Sequence, residues 1–217
     1  MTLRLAVFDC DGTLVDGQAD ICAAMELAFA AVGLTAPDRH DIRRIVGLSL
    51  PQAIRFLAPE ADHDRQMAAA EAYKGAFRAA RAEGRLAEPL FPGIADMLDQ
   101  LRGAGWLLGV ATGKSDRGLF HCLAEHGLSQ HFLTLQTADR HPSKPHPAML
   151  IAALEEAGAL SRDSVMIGDT AFDIEMARAA GVRAIGVAWG YHTTEELRKA
   201  GAAAIARTPA DLVALLP

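Results

Sequence analysis

The chain has 217 residues, 51 % of them hydrophobic, which is enough to bury one large domain or a core with a smaller partner. Its net charge of −6 and its scattered basic residues argue against a nucleic-acid partner, because such binding relies on Lys and Arg neutralising phosphates. No apolar stretch approaches the roughly 20 residues that span a bilayer, and the N-terminus lacks the charged and apolar regions of a signal peptide, so no membrane partner and a cytoplasmic location are expected.

The first apolar run, "LRLAVF", leads into "DCDGTLVD". Asp9 and Asp11 stand two apart at the end of a predicted strand, where positions i and i+2 face the same way. Two carboxylates side by side are costly unless a cation neutralises them or one holds a proton, and a hard, oxygen-seeking ion such as Mg²⁺ supplies that cation. Gly12 and Thr13 follow, with the glycine letting the backbone turn and approach a phosphate with its N–H groups. Cys10, between the two aspartates, reads as a small packing residue. With Cys22 and Cys122 it makes neither a disulfide framework nor a zinc-spaced pair.

From Asp16 to Glu88 no strand is predicted, only Ala-rich amphipathic segments such as "ADICAAMELAFAAVG" and "RQMAAAEAYKGAFRAARAEG". In the second, Met67, Ala70, Tyr73, Lys74 and Phe77 fall at helical spacing, so its apolar members are expected to share a face. A helical block of about 70 residues is too long for an ordinary crossover and reads as an inserted domain over 16–88. It leaves the core, 1–15 and 89–217, at Asp16-Gly17 and returns at "EPLFPG".

The runs "WLLGVA", "HFLTLQT", "SVMIGD", "VRAIGVA" and "AAAIA" then alternate with helical segments, the pattern of a parallel sheet covered by helices. The expected fold is therefore α/β, a Rossmann-like parallel-sheet core with an inserted all-helical cap. "GVATGKS" ends like a nucleotide-binding P-loop, but that loop needs a glycine where Leu108 stands. Thr112 at a strand end can instead donate to a phosphate oxygen, with Gly113 leaving room for it. Lys114 is given no catalytic step.

Together these stretches resemble the haloacid dehalogenase superfamily of phosphohydrolases. "DCDGTLVD" resembles its first motif, "ATGKS" its second, "SKPHP" with Lys144 its third, and "IGDTAFD" with Asp169 and Asp173 its fourth. The resemblance implies that Asp9 is the nucleophile and Asp11 the general acid and base. Thr112, Gly113, Lys144 and Gly12 would hold phosphate. Mg²⁺ would be bound by the Asp9 carboxylate, the Asp11 backbone carbonyl and Asp169, with Asp173 acting through water or a neighbour; capping of a helix N-terminus is the other reading of Asp173. Dehalogenases proper lack an acid at the position of Asp11, so phosphate chemistry is implied.

The insert resembles the small helical cap of phosphoglycolate phosphatase relatives, implying a small phosphomonoester substrate such as 2-phosphoglycolate. Arg43, Arg44 and Ser49 in "RRIVGLSL" are candidates for substrate contact, or two of them are arginines on a solvated helix. "AWGYH" resembles a loop near the site in the same relatives, or Trp189 simply packs in the core. A phosphomutase or a pyrophosphatase would share these motifs. A phospho-accepting receiver domain would be shorter and uncapped. The oligomeric state is not expected from any feature of the sequence.

Overall fold

The computed structural model describes residues 3–216. Among them, six strands form one parallel sheet: β1 (Arg4–Phe8), β2 (Trp106–Thr112), β3 (Thr134–Thr137), β4 (Ser164–Gly168), β5 (Arg183–Val187) and β6 (Ala204–Ala206), in the order β3-β2-β1-β4-β5-β6. Each of the six predicted runs holds a strand, and the third, "HFLTLQT", is trimmed most, to Thr134–Thr137. Strand β1 is apolar at every position after Arg4 because both its faces are covered. Ala6 and Phe8 join one core cluster, Leu5 and Val7 the other.

Helices α5 (Ile94–Gly103), α6 (Asp116–Glu125), α7 (Ala148–Ala157), α8 (Ala171–Ala179), α9 (Thr194–Ala200) and α10 (Pro209–Leu215) belong to the sheet unit. Between β1 and α5 the chain forms α1 (Gln18–Ala31), α2 (Arg39–Arg44), α3 (Leu50–Leu57) and α4 (His63–Ala82), with no regular strand. This insert has its own cluster, including Ile21, Met25, Phe29, Ile42 and Ile54. On α4 the buried residues are Ala69 and Ala70, flanked by half-buried Tyr73 and Phe77. Met67, expected on that face, is 40 % exposed, because small alanines rather than the methionine meet the neighbouring helices.

The linkers into and out of the insert run side by side. Asp16 N donates to Pro89 O at 2.8 Å, Phe91 N donates to Leu14 O at 3.0 Å, and Val15 and Leu90 form an antiparallel bridge. No helix among the described residues is long and apolar enough to cross a membrane.

Candidate active site

Register places the site. Phe8 pairs with Val110 on one side and Ile167 on the other, so the C-terminal ends of β1, β2 and β4 share one sheet edge. Residues just past those ends converge there, where open α/β sheets hold their ligands. Asp9, Asp169 and Asp173 each offer a carboxylate oxygen within 4.8 Å of the others, and all three are fully buried.

Lys144, preceding Pro145 across a cis peptide, reaches into this cluster with its side chain wholly buried. Its Nζ lies 2.8 Å from Asp9 Oδ1 and 2.6 Å from Asp173 Oδ1. Asp169 is held from three sides: Thr13 Oγ1 donates to its Oδ1 at 2.8 Å, Tyr191 N donates to its Oδ2 at 2.9 Å, and its backbone oxygen accepts from His192 N. The "AWGYH" loop thus fastens an acid of the cluster, while Trp189 Nε1 donates to Thr13 O at 3.0 Å. Asp173 Oδ2 accepts from Thr170 N and Oγ1, capping α8, so both its oxygens are engaged.

Asp9 is different. It is close to Lys144, yet its Oδ2 is buried without a hydrogen-bond partner among the described residues. A buried, unsatisfied carboxylate oxygen is expensive. Burial accordingly pushes the Asp9 carboxyl up to about 7, with the Asp173 and Asp11 charges adding to the rise and Lys144 opposing it. Asp169 is driven well above the usual carboxylate range by burial and by Asp9 and Asp173.

Asp11 faces a second cluster. Its Oδ1 lies 2.9 Å from Lys114 Nζ, which also donates to Glu88 Oε1 at 2.5 Å. Burial raises the Asp11 carboxyl, Lys114 lowers it, and Glu88 raises it again. Burial by itself would depress the Lys114 ammonium, but Asp11 and Glu88 outweigh it and hold the group well above its ordinary value. Neither partner was legible beforehand: Lys114 reads as a turn lysine, and Glu88 sits on the linker returning from the insert. The only available signal is that the linker must pass the end of β1.

Thr112 is buried at the end of β2, and its Oγ1 accepts from Lys114 N at 3.2 Å, leaving the O–H to donate. Gly12, at φ +86°, uses its own N–H on Val15 O at 2.9 Å rather than on a ligand. Its contribution is space: a Cβ there would lie 2.2 Å from Asp169 Oδ2. At Gly113 a Cβ would meet Leu48 O at 2.5 Å and Gly47 O at 2.7 Å, so the room it leaves is taken by backbone of the insert.

Of the three insert residues put forward for substrate contact, Ser49 borders the cavity between insert and sheet edge, with its backbone N donating to Ser143 Oγ at 2.8 Å. Arg44 forms a two-point pair with Glu196 of α9, at 2.8 and 2.5 Å, and its backbone oxygen contacts His192 Nε2 at 3.1 Å. Arg43 does not border the cavity. Arg44 thus fastens insert to sheet unit through Glu196.

A sequence model of the haloacid dehalogenase-like hydrolases matches residues 6–187. The chain belongs to this family. It is 38 % identical over 215 residues to the "Probable phosphatase IndB" of Dickeya dadantii, covering 96 % of this chain and 91 % of that one. It is 32 % identical over 192 residues to the phosphoglycolate phosphatase of Pseudomonas putida, covering 87 % and 71 %. Among solved structures, a "predicted phosphatase" from Clostridium acetobutylicum superposes with a TM-score of 0.89 at 25 % identity, over 100 % of this chain and 99 % of that one. The chain is thus a phosphatase-like hydrolase of the haloacid dehalogenase superfamily.

Proposed function

We propose that the protein is a Mg²⁺-dependent phosphatase that hydrolyses a small phosphomonoester through an aspartyl-phosphate on Asp9. The observation that carries this reading is the charge count of the inner cluster: three buried carboxylates face one ammonium, and Asp9 Oδ2 has no hydrogen-bond partner among the described residues. Such a donor set, all oxygen and short of positive charge, fits a hard divalent ion. Asp9 and Asp169 would hold it together with the Asp11 backbone oxygen. Asp173, engaged by Lys144 and Thr170, would support them from outside the ligand shell. The ion, when bound, supplies charge neutralisation between the anionic nucleophile and a dianionic phosphate.

Asp9 attacks phosphorus in line with the departing ester oxygen. Asp11 arrives with its proton, as its raised carboxyl favours, and donates it to the leaving alcohol. It then takes a proton from the water that hydrolyses the aspartyl-phosphate. Thr112 Oγ1–H and Lys144 Nζ stabilise the phosphoryl oxygens during both steps. The insert acts as a cap that keeps bulk water and large substrates out. Phosphate release from a panel of monoesters should require Mg²⁺ and disappear in chelator and in Asp9→Asn. Full turnover by Asp9→Asn would overturn the mechanism, and isomerised product without free phosphate would make the protein a mutase.

A further inference from the structure

We propose that the alcohol released by this enzyme is ring-bearing and of nucleoside size, uncharged near the ester and carrying hydrogen-bond acceptors at its far end. The inference rests on the phosphatase reading, which fixes Asp11 as the group beside the leaving oxygen. A cavity of about 460 Å³ opens between the cap and the sheet edge. Asp11, Gly113 and Lys114 line it at the sheet, whereas Asp9, Lys144 and Asp169 do not. It is therefore the compartment of the alcohol, not of the phosphate.

Size speaks first. At about 30 Å³ for each water-sized group, the cavity holds on the order of fifteen such groups, several times what a two-carbon acid occupies. Its walls are largely apolar, with Ile21 and Met25 from α1 and the rings of Tyr73 and Phe77 from α4, which lie 4.9 Å apart with a 36° tilt. Aromatic faces of this kind favour a planar ring.

Charge decides against a carboxylate next to the ester. Lys114, the lining cation in contact with Asp11, is already shared by two carboxylates, Asp11 and Glu88, while Arg117 borders the cavity from the exposed surface of α6, and Glu88 Oε2 is buried with no hydrogen-bond partner among the described residues. With Asp11 protonated, Glu88 alone already neutralises Lys114, so a further anion there finds no spare positive charge on that lysine in a partly dry site. Arg44, tied to Glu196, offers no relief. Positive charge lies instead along α4, where Arg78 and Arg81 border the cavity one turn apart, and Arg81 Nε is buried without a hydrogen-bond partner among the described residues. A buried donor of this kind calls for an acceptor on the ligand.

The test separates binding from turnover. With Asp9→Asn in the presence of Mg²⁺, calorimetric titration should show ribonucleoside 5′-monophosphates binding at least about tenfold tighter than 2-phosphoglycolate. Arg81→Gln and Phe77→Ala, each added to that background, should each reduce the preference at least about threefold. Equal or tighter binding of 2-phosphoglycolate, or a preference that neither substitution alters, would overturn the inference. Turnover of p-nitrophenyl phosphate by the unsubstituted enzyme judges the phosphatase reading separately. Its absence sinks that reading, whereas turnover with the reversed binding preference sinks only the choice of alcohol.

Discussion

Replacing Gly113 with alanine probes the closed seam between cap and sheet unit with a single methyl group. The added carbon would lie 2.5 Å from Leu48 O and 2.7 Å from Gly47 O, against an ordinary contact that begins at 3.4 Å, so the cap loop must retreat by roughly 0.9 Å. Backbone atoms cannot rotate away as a side chain end would. Overpacking of this sort costs about 1–3 kcal/mol, and because it falls only on the closed arrangement it shifts the closed population by about 5- to 150-fold. Gly113 does not adopt the left-handed conformation, so alanine suits its backbone and the sheet should fold as before. Steady-state kinetics should show kcat/KM falling within that range, while the melting temperature moves by no more than about 3 °C. A variant with kcat/KM within twofold of the parent would show that Gly47 and Leu48 need not sit against β2 for catalysis.

Lys114→Met strands Asp11 and Glu88 without their shared cation; losing one partner of a buried ionic group costs about 3–5 kcal/mol. The melting temperature should fall by at least about 6 °C, with Glu88→Gln in the same chain restoring part of the loss, and an unchanged melting curve would refute the pairing. The Mg²⁺ effect on stability should depend on pH. Asp9 titrates at about 7 in the fold but at 3.8 unperturbed, so between those values the folded chain holds a proton that the unfolded chain has lost, and metal-free stability falls as pH rises. Mg²⁺ should therefore raise the melting temperature more at pH 8 than at pH 5, by about 3–5 °C for each tenfold gain in affinity; equal shifts at both would count against Asp9 as a ligand. Arg44→Ala removes a pair that is 32 % and 34 % exposed and worth about 0.2–1 kcal/mol, so kcat/KM should change less than about fivefold. A loss beyond a hundredfold would return Arg44 to the substrate.

Much of the site could be read from the chain because its chemistry sits at strand ends. Asp9, Thr112 and Asp169 each follow an apolar run, and the parallel order of those runs brings them to one edge whatever the details of packing. Lys144 and Asp173 were visible as residues, but their contact spans 29 positions and depends on how the loop before α7 reaches back to α8. The same holds more strongly for the Arg44–Glu196 pair, whose partners are 152 positions apart. Periodicity could not foresee it, since an arginine on a short helix looks alike whether it meets solvent, ligand or a distant glutamate. Lys114 was hidden by its neighbours, because a Thr-Gly-Lys-Ser turn has the composition of an exposed loop, and its pairing with Asp11 and with Glu88 of the returning linker depends on the fold.

The two linkers that stitch to each other beside β1 have a further consequence. Since the ends of the helical unit meet within one hydrogen bond, the covalent boundary with the sheet is confined to one place, and the remaining contacts, such as Arg44–Glu196 and Gly47 against Gly113, are made by side chains and loops above it. The upper unit is in effect a removable tool on a fixed handle. On the proposed mechanism, exchanging the residues between these two linkers should alter which alcohol is admitted while Asp9, Lys144, Asp169 and Asp173 keep their places.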